Sequence, residues 1–234
     1  MKVVAGTSGF SYGEWRGSFY PEDLAAEEML SFYSTKLETV EINNTFYRMP
    51  SKRVLSSWAE QVPAGFRFTI KASRSITHMK RLKEVADPVA YLLGQVTVLG
   101  ERLGPLLFQL PPNMKKDVGR LEGLLALLPE GRRAAIELRH PSWFDDAVYE
   151  RLRSHDAALV AVDADDAAAS AALVPTATWG YLRLRRAEYG PDGLGAWVLR
   201  IREQPWTEAF VYFKHEDEVA GPRLALHFLE LMAG

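Results

Sequence analysis

Short apolar runs rich in β-branched and aromatic residues recur along the chain, and stretches with helical periodicity separate most of them. Runs of this length, bounded by turn residues, are typical of buried strands. They predict eight strands, at residues 3–6, 39–43, 66–72, 106–110, 134–138, 159–163, 180–185 and 210–214. The intervening patterns predict helices within residues 21–37, 87–105, 117–131, 142–156 and 221–232.

Regular alternation of strands and helices predicts a parallel sheet. Eight such units predict an α/β fold, a single (β/α)8 barrel of the TIM type over residues 1–234, with irregularity in its sixth to eighth units. An open doubly wound sheet is the alternative, but the stretch GTSGFSYG lacks the spacing of the glycine-rich dinucleotide fingerprint. Gly104-Pro105 is expected to end the helix within residues 87–105.

The predicted second strand has two different faces. In the stretch TVEINNTFYRMPS, the apolar Val40 and Ile42 alternate with Glu41 and Asn43. Polar residues recur with the same period of two at the C-terminal ends of the other strands, at Lys71, Ser73, Gln109, Glu137, Arg139, Asp163, Arg183, Arg185 and Lys214. Inward and outward positions alternate along barrel strands. The polar set is therefore expected at the mouth of the barrel, where active sites of this architecture lie.

Buried charges at this mouth require partners. One unpaired buried charge costs several kcal/mol, whereas a domain is stable by only about 5–15 kcal/mol. The acidic and basic side chains are therefore expected to pair with each other, to bind a ligand or to contact water. A barrel filled with purely structural ion pairs is a competing interpretation, and it predicts no ligand-sized pocket at this end.

Composition narrows the class of protein. The formal net charge of −2 argues against a strongly basic nucleic-acid binder, although a local basic patch is compatible with it. The absence of cysteine excludes disulfides and thiolate chemistry and fits a reducing compartment. No apolar run resembles a secretory signal or approaches the ~18 residues of a membrane span. A cytoplasmic protein without a membrane partner is expected.

Five stretches together resemble the YecE-like family, also called domain of unknown function seventy-two. They are GTSGFSYGEWRGSFYP, VEINNTFYRMPS, FRFTIKASRSITH, LGPLLFQLPP and AIELRHPSW, in this order over nearly the whole chain. The resemblance implies a TIM barrel and supplies no reaction. It implies that the recurrent mouth residues are Ser8, Tyr12, Trp15, Glu41, Asn43, Asn44, Phe46, Tyr47, Lys71, Arg74, His78, Gln109, Glu137, Arg139, His140, Trp143, Asp163 and Arg183.

The chain departs from the pattern of that family at two strand ends. The family often has His-Gly where this chain has Arg185-Arg186, and Asn-Asn where this chain has Lys214-His215. Both changes are expected to make this side of the mouth more cationic. The resemblance therefore does not carry over a function that needs those polar pairs.

Three acids from different strands, Glu41, Glu137 and Asp163, are the candidate catalytic residues. Paired carboxylates at a barrel mouth are the apparatus of glycoside hydrolysis, in which one protonates the leaving group and the other attacks or activates water. The leading hypothesis is a hydrolase for an anionic substrate that contains a phosphate or a sugar. This acid/base hypothesis fails if Glu41 and Glu137 are both engaged by arginine or lysine and closed to solvent.

The other candidate residues are assigned to substrate binding. Arginine forks match phosphate or carboxylate oxygens, so Lys71, Arg139 and Arg183 are expected to bind the anion. Loop aromatics stack on sugars or bases. That role is expected for Tyr12, Trp15, Phe46 and Tyr47, although each ring also suits core packing.

A divalent metal is a candidate cofactor that is not favoured. Suitable ligand types are present at Glu41, His78, Glu137, His140 and Asp163. No His-x-x-x-His or similar spacing occurs, and the candidate ligands come from different strands. Ligand type alone therefore does not assign a metal.

A non-catalytic protein that binds a small nucleotide-like ligand or a nucleic acid is the alternative function. It predicts an open basic groove that extends beyond the mouth, with salt-dependent affinity for single strands or structured RNA. A closed pocket with two free carboxylates would favour the enzyme instead.

Overall fold

The computed structural model of the chain describes residues 1–166, 173–190, 192–214 and 220–234. Within these residues nine strands form one sheet, and all neighbouring strands are parallel. The strands are β1 Lys2–Ser8, β2 Thr39–Ile42, β3 Arg67–Lys71, β4 Leu103–Gln109, β5 Ala134–Glu137, β6 Ala158–Leu159, β7 Ala161–Asp163, β8 Trp179–Leu184 and β9 Glu208–Phe213.

The sheet closes on itself through one split strand. Its order is β6-β5-β4-β3-β2-β1-β9-β8-β7, so its two ends are consecutive in the chain. Only Val160 separates β6, which pairs with β5, from β7, which pairs with β8. The Val160 N–H donates to the Ile136 carbonyl at 3.0 Å and continues the pairing with β5. The predicted TIM-type barrel is confirmed, and the sixth unit is irregular because its strand is interrupted.

Helices surround the barrel, at α1 Met29–Ser34, α2 Lys52–Glu60, α3 Ala86–Val96, α4 Val118–Leu125, α5 Asp146–Ser154, α6 Gly193–Arg202 and α7 Ala220–Ala233. Helices α2 and α6 fall outside the predicted helical segments. Helix α2 begins after Ser51, whose hydroxyl accepts the Val54 N–H at 3.4 Å. Gly193 and Gly195 weaken the helical signal of α6. Among the described residues, every helix is too short or too polar to cross a membrane.

The helix predicted within residues 87–105 is wrong at its C-terminal end. Helix α3 ends well before Gly104-Pro105, which lies inside β4. Gly100 has a positive φ of 53°, so the chain leaves the helical path before it enters the strand. The pairing of β3 with β4 shifts register between Phe68 and Ile70, and this irregularity accommodates a proline that has no N–H to donate.

The strands separate two buried cores. The cluster inside the barrel contains Val4, Leu107, Ala135, Ala158, Val160, Val162, Trp179, Tyr181, Phe210 and Tyr212. The opposite strand phase, which includes Val40, Ile42 and Leu182, belongs to a second core between the sheet and the helices. Toward the C-terminal ends of the strands the inward positions become polar, and this change creates the candidate site.

Candidate functional site

Two carboxylates from different strands share one arginine inside the barrel. Arg183 on β8 donates from Nη2 to Glu41 Oε1 at 2.8 Å and from Nη1 to Glu137 Oε2 at 2.7 Å. None of the three side chains is more than 3% exposed. They meet because each occupies an inward position near the C-terminal end of its strand, and the C-terminal ends of the parallel strands lie at the same end of the barrel.

The Glu41 carboxylate accepts four hydrogen bonds. Beside Arg183, Ser8 and Asn43 donate to Oε1 at 2.8 and 2.9 Å. The Tyr181 hydroxyl donates to Oε2 at 2.5 Å. Burial opposes ionisation, but Arg183 and the neutral donors outweigh it and hold the pKa of Glu41 below its usual value. The carboxylate is therefore ionised and well supplied with donors.

The Glu137 carboxylate has a comparable set of donors. Gln109 donates to Oε1 at 2.8 Å and Arg139 donates to the same oxygen at 3.0 Å, while Arg183 holds Oε2. Burial alone would raise the pKa of this group, but the two guanidinium groups and Gln109 lower the pKa of Glu137 to about 2. A carboxyl group with this pKa has no proton to donate at neutral pH.

These contacts meet the condition set against the acid/base hypothesis. Glu41 and Glu137 are both engaged by arginine and closed to solvent. A general acid needs a pKa near the working pH, and a glycosidase pair needs space for the sugar or for water between its carboxyl groups. The two glutamates instead fix the position and the charge of Arg183.

Around the two buried glutamates, cationic side chains outnumber acidic ones among the residues that the structure describes. Four cationic side chains surround the two buried glutamates closely enough to affect their ionisation or one another's. We call the whole group the barrel mouth, and its members are Glu41, Lys71, Glu137, Arg139, Arg183 and Arg185. The two carboxylates neutralise two of the four cations, so an excess of two positive charges remains.

Lys71 forms the β3 side of the barrel mouth. Its Nζ lies 4.5 Å from the centre of the Phe46 ring, and within the described residues it makes no hydrogen bond or ion pair. Partial burial and then Arg183 lower the pKa of Lys71 to about 8, although the two glutamates oppose them. The His78 ring contacts the same phenyl ring at 4.9 Å, and burial, with Lys71 nearby, lowers the pKa of His78.

Three buried polar atoms in or beside the mouth have no hydrogen-bond partner among the residues that the structure describes. They are Asn43 Oδ1, Arg183 Nε and Arg185 Nε. The Arg185 guanidinium also forms no ion pair in that part of the chain. An unsatisfied buried polar group costs about 1–3 kcal/mol, so these atoms lower stability unless a ligand or water satisfies them.

Asp163 lies outside the barrel mouth, and its expected position there is wrong. Val160 and Val162 occupy the inward phase of this split strand, so Asp163 faces the helices. Its carboxylate accepts the indole N–H of Trp197 on α6 at 2.8 Å and pairs with Arg186 at 2.7 Å. Val162 pairs with the inward Arg183 and Asp163 pairs with the outward Leu184, and the polar composition of the last residue does not reveal this register.

The predicted aromatic residues of the site fall into two groups. Trp15 and Trp143 are fully buried, and Trp143 donates its indole N–H to a backbone carbonyl at 2.7 Å, so both contribute to the core. Tyr12 is half-buried and donates to a backbone carbonyl of β1 at 2.7 Å. Phe46 borders the barrel mouth, and Tyr47 is 73% exposed. The last two rings are therefore the ones placed to contact a ligand.

The remaining predicted residues lie at the rim. Arg74 is exposed, and its guanidinium carbon lies 5.8 Å from the centre of the Tyr47 ring. Asn44 lines a cleft of about 470 Å³ between the ends of β1 and β2 and the helices α1 and α2. His140 accepts a backbone N–H at 3.2 Å and caps a short turn. His215, part of the predicted cationic set, lies outside the described residues.

Within the described residues, no group of three or more histidine, aspartate or glutamate side chains is placed to hold a metal ion. The candidate ligands Glu41 and Glu137 face Arg183, and Asp163 points away from them.

A residue that the sequence interpretation missed is Tyr181, which donates a hydrogen bond to Glu41. It lies two positions before Arg183 on β8, so the period of two places it inside the barrel but does not assign it a role at the site.

The sequence of the chain is similar to those of known proteins. The family model described as "Protein of unknown function DUF72" matches residues 4–234. The UPF0759 protein YecE of Escherichia coli (strain K12) is 32% identical over 116 residues, which are 49% of this chain and 43% of that protein. The matched segment therefore spans less than half of the curated relative.

Solved structures extend the likeness to the whole chain. The crystal structure of a DUF72 family protein from Thermotoga maritima MSB8 matches with a TM-score of 0.89 and 28% identity, and the match covers 100% of both chains. A DUF72 family protein from Enterococcus faecalis V583 matches with a TM-score of 0.84 and 18% identity, over 99% of this chain and 96% of that one. At 18% identity the second likeness supports the fold alone.

Proposed function

The chain belongs to the DUF72 family of proteins of unknown function, and we propose that its barrel mouth binds a small ligand with a phosphate group on a sugar-like body. The observation that carries the proposal is the excess of two positive charges in the mouth. Charges that are largely shielded from solvent are normally paired, and among the described residues this site has fewer acids than cations. A phosphate, with a charge near −2, supplies the missing negative charge.

Unpaired hydrogen-bond donors support the same ligand. Arg183 and Arg185 each have an Nε–H without a partner among the described residues. Arginine groups match phosphate oxygens in two-point, charge-assisted contacts. Arg139, whose side chain is 34% exposed, extends the cationic surface toward solvent. A phosphate between these side chains would satisfy donors that the protein leaves open.

An acceptor and an aromatic ring support the sugar-like body. The Asn43 amide nitrogen donates to Glu41, which fixes the amide and leaves Oδ1 without a donor in the described structure. A ligand hydroxyl group is a suitable donor for this oxygen. The half-buried Phe46 ring borders the mouth and belongs to the aromatic type on which sugars stack, although Lys71 Nζ lies over one of its faces.

We still propose the ligand class of the hydrolase hypothesis, but Glu41 and Glu137 are not suitable as its acid and base. Glu41 and Glu137 are ionised, buried and bonded to Arg183. Hydrolysis in the mouth would need another proton acceptor. The Lys71 amine and the His78 imidazole, whose pKa values are lowered, are the groups at the mouth with suitable chemistry.

A thermal unfolding series with ligands tests the proposal. We compare inorganic phosphate, glucose 6-phosphate and glucose at constant ionic strength. A ligand at about 100 times its dissociation constant stabilises the protein by about 2.7 kcal/mol. The two phosphates are expected to raise the unfolding temperature of the wild type, and Arg185→Gln is expected to weaken their binding by about tenfold or more because it removes a charged fork.

Arg153→Gln is the matched control. It removes the same charge from an exposed position on α5, beside the start of β5 and therefore at the opposite end of the barrel. Equal phosphate affinity of Arg185→Gln and Arg153→Gln would overturn the proposal. Binding of single-stranded RNA that phosphate does not displace would instead favour a nucleic-acid protein, whose base-stacking feature would be the exposed Tyr47 beside Arg74.

A further inference from the structure

The Lys71 amine has no partner atom in the described part of the chain, although ionised groups surround it. A lysine that serves only as a counter-ion normally contacts a carboxylate. Here Arg183 bonds both of the nearby glutamates, and the Lys71 Nζ lies over the Phe46 ring instead. The structure therefore leaves the amine available to a ligand in the mouth.

The surroundings of Lys71 raise the fraction of its amine that is unprotonated. The charged and titratable groups that face it are Arg183, Arg139, Glu41, Glu137 and His78. Partial burial and the arginines outweigh the glutamates, so the pKa of Lys71 is about 8. Desolvation beside another cation is a general way to activate a lysine as a nucleophile. At pH 7.5 about a quarter of such amines are unprotonated, against about 0.1% for an ordinary lysine.

We propose that Lys71 is a nucleophile that forms an imine with an aldehyde or ketone bearing the anionic group, a proposal that rests on the anion-binding function. The unprotonated amine attacks the carbonyl carbon, and the carbonyl electron pair moves to oxygen. The nitrogen of the adduct passes a proton to this oxygen, which becomes a hydroxyl group; the hydroxyl group takes up a second proton from solvent and leaves as water while the C=N bond of the protonated imine forms. The step needs no oxidant or reductant, and addition of water reverses it.

The arrangement suits imine formation better than hydrolysis by the two acids. Hydrolysis needs a protonated acid or a carboxylate open to water, and Glu41 and Glu137 provide neither. Imine formation needs an amine that no protein group engages, and the partly buried Lys71 has no such partner within the described residues. A protonated imine carries the same charge as the ammonium that it replaces, so the charge balance of the mouth is preserved.

Reductive trapping tests the proposal on the wild-type protein. The probe is glycolaldehyde phosphate, cyanoborohydride reduces any imine, and peptide mass spectrometry at pH 7.5 measures the modification of each lysine. Lys71 is expected to react at least about tenfold faster than the exposed Lys36, which follows α1. Lys71→Arg keeps the charge and is expected to abolish the fast reaction, whereas Lys36→Arg is expected to leave it unchanged. Reaction of Lys71 no faster than that of Lys36 overturns the proposal.

Two comparisons separate this proposal from the anion-binding proposal. Neutral glycolaldehyde is expected to react with Lys71 more slowly than the phosphorylated probe, and inorganic phosphate is expected to protect Lys71 from the latter. Phosphate binding through Arg185 without fast trapping would overturn the imine alone. Equal trapping by both aldehydes, without protection by phosphate, would overturn the anionic substrate class together with the anion site.

Discussion

Arg183→Met perturbs the centre of the barrel mouth most directly, because it keeps a long side chain and deletes the charge between two buried glutamates. In the wild type, the pKa of Glu137 is about 2 instead of 4.5. A tenfold change in proton affinity is about 1.4 kcal/mol, so ionised Glu137 stabilises the fold by about 3 kcal/mol at neutral pH. Removal of one partner from a buried ion pair costs about 3–5 kcal/mol. We expect Arg183→Met to lower the free energy of unfolding by that amount at pH 7.5.

The pH dependence of this loss identifies its cause. In the wild type the pKa values of Glu41 and Glu137 are lowered by folding, so their stabilisation is fully present above about pH 4.5. The contribution of Glu137 is lost only as the pH falls toward about 2. In Arg183→Met, burial without a counter-ion raises the pKa of at least one glutamate. Protonation then removes the cost of burying a carboxylate without a counter-ion. The difference in the free energy of unfolding between the variant and the wild type is therefore expected to shrink by at least about 1 kcal/mol between pH 7.5 and 5.

Urea unfolding followed by tryptophan fluorescence at both pH values measures these differences. The control Arg151→Met breaks an exposed pair with Glu122 and is expected to cost less than about 1 kcal/mol. If Arg183→Met does not fold, a triple variant that adds Glu41→Gln and Glu137→Gln is expected to restore folding, because it also removes the two buried carboxylates that lost their counter-ion. A loss below about 1 kcal/mol at pH 7.5, or equal losses at the two pH values, would refute the reasoning.

Lys71→Met and Tyr181→Phe are expected to change the free energy of unfolding in opposite directions. Folding lowers the pKa of Lys71 from 10.5 to about 8, so the unfolded chain binds more protons between these values and wild-type stability rises with pH there. Lys71→Met is therefore expected to be more stable than the wild type by about 1–2 kcal/mol at pH 7, after allowance for partial exposure. Urea titrations should show this advantage shrinking above pH 8, and no advantage at pH 7 would contradict the argument. Tyr181→Phe removes the donor to Glu41 Oε2 and is expected to cost about 1.5–3 kcal/mol in the same assay; an unchanged midpoint would show that the bond is not stabilising.

The positions of Glu41, Glu137 and Arg183 could be predicted because two simple periodicities determine them. The alternation of strand and helix predicts the barrel, and the period of two within each strand predicts which side chains point inward. Both rules hold at these three residues, whose strands end in the same layer. Tyr181 obeys the second rule as well, but its ring is also a normal core residue, so phase alone does not single it out.

The predictions that the structure corrects share one physical origin: they depend on interactions between segments that are distant in the chain. Asp163 faces the helices because the split at Val160 and the pairing with β8 set its phase, and these depend on neighbouring strands. Gly104-Pro105 is tolerated in β4 because the register shifts on β3. The engagement of both glutamates by Arg183 likewise depends on register across the barrel. Local composition does not encode such pairings.

An imbalance of charge in the mouth is expected of a ligand site and is not expected of a purely structural network. A network that served stability alone would match its charges, and buried ion pairs are often replaced by apolar residues without loss. Here the glutamates occupy both terminal nitrogens of Arg183, while Arg185 and Lys71 remain without acidic partners in the described residues. The expected stability gain of Lys71→Met measures the cost of that arrangement. Sites that break the local rules at a cost in stability are where function is expected, so a gain in stability together with a loss of phosphate binding would link the two.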